Sequence, residues 1–256
     1  MKTAYSTEEV SEITPGFMVR RKILLWLPVM TAFGLLLKSP SKVIAQSKSS
    51  EVHPTGNDLV WDEFIKQCVP QAEQLYKDTS PSGQNAYLLS LAAFAARLRL
   101  STIPRTKIYP FANLKPPVHF GVGYRGVPFF AVEWWLEPNA ALPPHNHPNA
   151  SVCTLGIEGE ARIRNYQVVG DAPEFSSTHQ FQVRETHNEL MSTGRLNSLS
   201  ATRDNIHTFQ AGQTGARGID FSTMHGKDIG FSFLNIDEKP RDPEARIYNA
   251  TWRKLG

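Results

Sequence analysis

The spacing of apolar and polar positions divides the chain into a helical stretch followed by a strand-rich remainder. From residue 58, Leu59, Val60, Phe64, Cys68, Ala72, Leu75 and Tyr76 recur at the three- and four-residue steps of one helix face. Leu88, Leu91, Ala92, Ala95 and Leu98 repeat that period, which predicts a second helix over residues 84–100, with Ser80-Pro81-Ser82-Gly83 as separator. Residues 103–117 are Pro-rich and irregular. Beyond them residues 119–124 and 127–136 predict a β-hairpin, and its aromatics Phe129, Phe130, Trp134 and Trp135 suit a core better than a binding platform.

The segment 142–166 reads LPPHNHPNASVCTLGIEGEARIRNY and predicts strand, turn, strand, turn, strand, with turns at Pro148-Asn149 and Glu158-Gly159. Residues 171–189 are polar and read as a long loop carrying His179 and His187. An alternating run starts at His207 after a turn, and residues 218–225 and 229–236 predict later strands. Residues 237–256 read as a charged tail in which Ile247, Tyr248 and Trp252 dock. The sequence has no internal repeat of solenoid length.

Composition narrows this picture in two ways. A hydrophobic fraction of 41% in 256 residues is enough for a buried core, and 18 prolines with 17 glycines between short strands fit a turn-rich β protein. Net charge is +3 and no long Lys/Arg run occurs beyond the N-terminus, which leaves nucleic acid without a footprint. Two cysteines, Cys68 and Cys153, make no disulfide framework, and Cys68 falls on the apolar face of the first helix.

The N-terminus reads as an address. Arg20 and Arg21 precede an uncharged run over residues 23–37, shorter than the roughly 20 apolar residues of a membrane span. Val43-Ile44-Ala45 offers small residues for cleavage after Ala45. The segment 1–45 resembles a twin-arginine export signal, followed by a polar linker over 46–57. The expected location is periplasmic or an equivalent lumenal compartment, the membrane being met only through the signal; an uncleaved anchor is the alternative. Export in the folded state would let a metal load beforehand, which protects a site for iron from competition by copper and zinc.

Candidate chemistry centres on His145 and His147. One residue apart on a strand, they project from the same face. A third donor must return from a later strand, and His207 in Asp204-Asn205-Ile206-His207-Thr208-Phe209 is the best placed. The pair, a Gly-closed hairpin and one downstream His form the two-part signature of a cupin. The expected fold is therefore mainly β, a cupin (double-stranded β-helix or jelly-roll) barrel over about 118–240, with a helical preface at 58–100 in a single domain 58–256. Most cupins add a Glu four or five residues after the second His, where this chain has Ser151 and Val152. Three neutral imidazoles leave a dication's charge uncompensated, which favours an anionic ligand such as a thiolate.

Residues Leu142 to Pro148, with Val152, Gly159 and Arg164-Asn165-Tyr166, resemble the first motif of the thiol dioxygenases that include cysteamine dioxygenase and the plant cysteine oxidases. Asn205 to Ala211 resembles their second motif, and the likeness spans about residues 129–233. It implies a non-haem Fe(II) enzyme that adds both atoms of O2 to the sulfur of cysteamine, cysteine or an N-terminal cysteine. It implies His145, His147 and His207 as iron ligands and Asp220 as a carboxylate that holds a ligand or water by hydrogen bonding. The family's Gly-Pro-Pro-Tyr element is absent; Ser222 to Lys227 reads STMHGK, and His225 is the candidate for the lost polar contact, a core histidine being the alternative. Cys153 lies beside the pocket strand, where packing is the simpler role. Arg125, Arg162 and Arg164 are candidates for a substrate carboxylate, against a solvated strand face. Two rival functions stay open: a non-catalytic cupin that binds a small ligand around a structural metal, and a cupin dioxygenase acting on a carbon substrate. Aromatic walls around a roomy pocket would favour the latter.

Overall fold

The computed structural model describes residues 58–111, 114–175, 177–226 and 230–253. The export signal and linker expected over 1–57 lie outside them. Among the described residues no helix is long and apolar enough to cross a membrane. In chain order the elements are α1 (Trp61–Lys77), α2 (Pro81–Arg97), a 3-10 turn (Leu100–Thr102), β1 (Tyr109–Pro110), β2 (Val118–Arg125), β3 (Phe129–Leu136), β4 (Ala141–Asn146), β5 (Ala150–Val169), β6 (Phe181–Met191), β7 (Leu196–Ser200), β8 (Ile206–Met224), β9 (Phe233–Ile236) and β10 (Ile247–Arg253).

Helix α1 buries Trp61, Phe64, Ile65, Cys68, Ala72 and Leu75; Phe64, Cys68, Ala72 and Leu75 lie on the face its spacing predicts, whereas Tyr76, also expected there, is exposed. Helix α2 begins three residues earlier than expected. Ser80 accepts from the Gly83 amide at 3.1 Å as N-cap, and Pro81 takes the first helical position, where no amide is needed. The stretch read as a separator is thus the helix start. Both helices lie on one face of the sheet: the Phe64 and Phe221 rings are 4.6 Å apart, and Tyr87 hydrogen-bonds Thr223. Cys68 and Cys153 are free and buried in this same layer.

The strands form one antiparallel sheet built around β5 and β8, which pair from Ala150↔Met224 to Tyr166↔Ile206. The expected turn at Glu158-Gly159 is instead a pair of β-bulges in a continuous strand. Gly159 (φ +68) and Gly215 (φ +78) face one another there, and a side chain on Gly159 would collide with the Gly215 carbonyl. The bulges bend the ribbon between two environments. On one side of the bend β3 flanks β8 and β7 flanks β5. On the other, β4 flanks β8, β6 flanks β5, and β9 with β10 complete the circle, giving a closed six-stranded barrel β4-β8-β5-β6-β10-β9. Mainly β, with two helices before the barrel, this is the architecture expected from the sequence.

Two readings fail in instructive ways. The polar segment 171–189 is not all loop: β6 runs through it, and His187 sits on a strand opposite Asn165. The charged tail contains β10, which bridges β6 and β9. In β6 an inward carboxylate obscures the alternation. Glu185 is buried and meets Arg164 at 2.5 Å, and Arg164 in turn lies over the rings of Tyr166 and Tyr248.

Candidate metal centre

Strand β4 carries Pro143 and Pro144, which lack the amide a ladder needs, and its register with β8 slips between Leu142 and His145. The slip frees the Pro143 carbonyl, which lies 2.9 Å from Nδ1 of His145. The carbonyl can only accept, so the His145 proton sits on Nδ1 and the Nε2 lone pair points inward. Beyond the strand end, His147 is held by its backbone: its amide lies 3.0 Å from the Asn205 carbonyl, and the Asn205 side chain donates back to the His147 carbonyl at 3.3 Å. His207 is paired directly with His145 in the sheet.

These constraints bring three ring nitrogens together. Nε2 of His207 is 2.9 Å from Nε2 of His145 and 3.0 Å from Nε2 of His147. Burial pushes His145 down to about 4 and holds His147 and His207 well below the usual histidine range. All three are therefore neutral, the form that ligates metal. Clustered lone pairs repel one another unless a cation lies between them. Two metal–nitrogen bonds of about 2.1 Å meeting at a right angle separate the nitrogens by about 3.0 Å. The observed spacings match, so the residues fit a divalent transition metal, and His145, His147 and His207 would hold it through Nε2.

The other sequence candidates are not among the three grouped donors. Asp220 is buried; its Oδ1 accepts from Thr154 Oγ1 at 2.7 Å and from Trp134 Nε1 at 3.2 Å. Burial raises its carboxyl to about 6, although both hydrogen bonds oppose the shift. It is linked to the trio through packing, from Trp134 to Phe209 at 4.9 Å and from Phe209 to His207 at 4.7 Å. His225 is 2.9 Å from Ser151 Oγ through Nε2, and burial lowers it to about 4. Cys153 packs into the helix-facing layer, where burial pushes its thiol up to about 12. Arg125 is exposed at the end of β2, and Arg162 donates to Asn188 at 2.8 Å.

Sequence reasoning missed the aromatic side of the centre. Phe231 and Phe233 lie 6.1 and 5.7 Å from the His145 ring, with Phe111 behind them at 6.4 and 5.9 Å, and Phe231 is 44% exposed. It also missed Asn165, directly opposite His207 on β5. A buried amide beside a ligand has no signature along the chain, because the register creates the proximity.

No protein-family model matches the chain, and no curated protein is similar to it. Among solved structures it is similar to an oxalate oxidase, at 15% identity and TM-score 0.33, over 45% of this chain and 54% of that one. It is similar to KdgF from Halomonas sp. at 13% identity and TM-score 0.33, over 45% of this chain and 87% of that one. An uncharacterised protein of Klebsiella pneumoniae with a double-stranded β-helix domain aligns at 13% identity and TM-score 0.34, over 53% of this chain and 94% of that one. The chain thus spans about half the length of the oxalate oxidase it matches.

Proposed function

We propose that this protein is an exported, iron-dependent cupin dioxygenase that oxidises a small thiol, or an N-terminal cysteine, to a sulfinic acid. The observation that carries this reading is the donor set: three neutral imidazoles whose donor atoms lie within 4.8 Å of one another, with no carboxylate in the group among the described residues. Fe(II) held by these residues would supply the redox chemistry by which one thiol and one O2 combine into one sulfinic acid, both oxygen atoms going to sulfur. The protein's contribution is positioning and exclusion of water. His145 is aimed by the Pro143 carbonyl and His147 by Asn205, while Phe231 and Phe233 cover one flank of His145.

One observation favours a second reading. The phenyl rings beside His145 suit a dioxygenase whose substrate is carbon rather than sulfur, such as a diketone or flavonol. The test loads the purified chain with Fe(II) anaerobically and supplies cysteamine, cysteine, N-terminal-cysteine peptides and a diketone. Oxygen uptake with a product two oxygen atoms heavier than the thiol supports the first reading. Uptake with the carbon substrate alone supports the second, and no uptake with any of them overturns both. The export reading is tested separately: replacing Arg20 and Arg21 by Lys should leave the precursor in the cytoplasm, and undiminished export would reject it.

A further inference from the structure

Two residues paired across the β5–β8 ladder each carry a buried polar atom without a partner. Among the described residues, Nδ1 of His207 and Oδ1 of Asn165 make no hydrogen bond, and both residues are fully buried. Their α-carbons are paired in register. Buried polar atoms are nearly always satisfied, so an opposed pair of orphans needs a reason.

The donor and acceptor sense of the neighbouring amides supplies it. The exposed Glu189 side chain accepts here: Nδ2 of Asn197 donates to its Oε1 at 2.9 Å. That turns Oδ1 of Asn197 inward, where it accepts from Nδ2 of Asn165 at 2.9 Å. Asn165 is then left with Oδ1, an acceptor, for whatever lies opposite. His187 also faces Asn165 and its Nδ1 is likewise buried without a hydrogen bond, but a carboxylate oxygen of Asp204 lies 3.7 Å from it. Nδ1 of His207 has no such carboxylate beside it among the described residues.

We infer that Asn165 is a positioning residue for the metal centre: with metal bound, its Oδ1 would accept the Nδ1 proton of His207, which would leave Nε2 of His207 as the lone pair turned toward His145 and His147. A surface carboxylate, Glu189, thereby sets the tautomer of a buried ligand through two amides. The inference rests on the three-histidine centre binding a divalent metal and is independent of which reaction follows.

Titrating the full chain with Co(II), followed by visible absorption, tests it. Asn165→Leu should weaken Co(II) binding by about 10- to 100-fold, the usual cost of losing an outer hydrogen-bond partner. Asn165→Asp, which still accepts, should stay within severalfold of wild type. Glu189→Gln should weaken binding by a few-fold, since its amide no longer dictates the sense of the chain. Wild-type affinity and an unchanged spectrum in Asn165→Leu would overturn the inference while leaving the metal centre intact, whereas absence of Co(II) binding by the wild type would remove the centre itself. The ring nitrogens of the Zn(II)-loaded wild type, read by NMR, decide independently of any variant's folding. A protected Nδ1 proton on His207 supports the assignment, and a proton on its Nε2 rejects it.

Discussion

The two ends of the bent β5–β8 ribbon each bury an ionisable side chain and treat it in opposite ways. On the helix side of the bend, Asp220 is supplied with two donors, Thr154 and Trp134, both on neighbouring strands. On the barrel side, His207 meets two other imidazole nitrogens at about hydrogen-bond distance, and its Nδ1 has no partner among the described residues. The first arrangement is complete as it stands. The second is complete only with a cation in front of the ring and an acceptor behind it. A satisfied buried group stabilises a fold, whereas an unsatisfied cluster points to a ligand.

The largest expected effect breaks the barrel end. His207→Ala should lower Co(II) affinity by about a thousandfold, as one of three ligands and its outer partner are lost together. Its metal-free stability should fall far less, because an unpaired buried polar atom leaves with the ring; urea unfolding of both metal-free chains checks this. A metal-free His207→Ala that no longer folds would erase the contrast between the two ends.

Next comes a pH test of the helix-side end. The folded Asp220 carboxyl lies near 6, above an unfolded value of about 3.9. Between those values the folded state holds the extra proton, so this group's contribution is fully present below about pH 4 and is lost as pH rises through 6. Wild type should therefore lose roughly 3 kcal/mol relative to Asp220→Asn between pH 4 and pH 7, about two pKa units of linkage. His145 acts with the opposite sign, its contribution fading as pH falls from about 6.5 toward 4, and the comparison of the two chains cancels it. A difference that does not vary with pH would reject the assignment to Asp220.

Removing one donor is a milder probe. Thr154→Val keeps the shape and takes one hydrogen bond from Asp220, which should cost about 1–2 kcal/mol at neutral pH and less where the carboxyl is protonated. Equal losses at pH 4 and pH 7 would place the cost in packing instead. The smallest effect belongs to Phe231→Ala. At 44% exposure its removal should cost under about 1 kcal/mol in stability. If the rings line the approach to His145, the variant should bind bulky apolar substrates more weakly and leave cysteamine unaffected, read as a change in KM.

Much of this was legible along the chain. His145 and His147 show the two-residue step that puts side chains on one face, and His207 opens an alternating run after a turn. Helix α1 is visible because its stripe is uniformly apolar. Strand β6 is not, since its inward face carries Glu185 and the charge reads as solvent until its ion pair with Arg164 is seen. Gly159 signals a break in the pattern, but a turn and a bulge use the same residue, and only the ladder with β8 shows which it is.

The sequence by itself determined the period of helix α1, the imidazole pair and the lack of a Glu four or five residues after the second His, because these follow from residue type and spacing. The tertiary structure alone decided that three ring nitrogens meet at about 3 Å, that Asp220 is supplied with donors, and that Asn165 is paired with His207 across the ladder. Those facts depend on strand register across tens of residues. A slip of one position would turn each side chain to the other face without changing a letter of the chain.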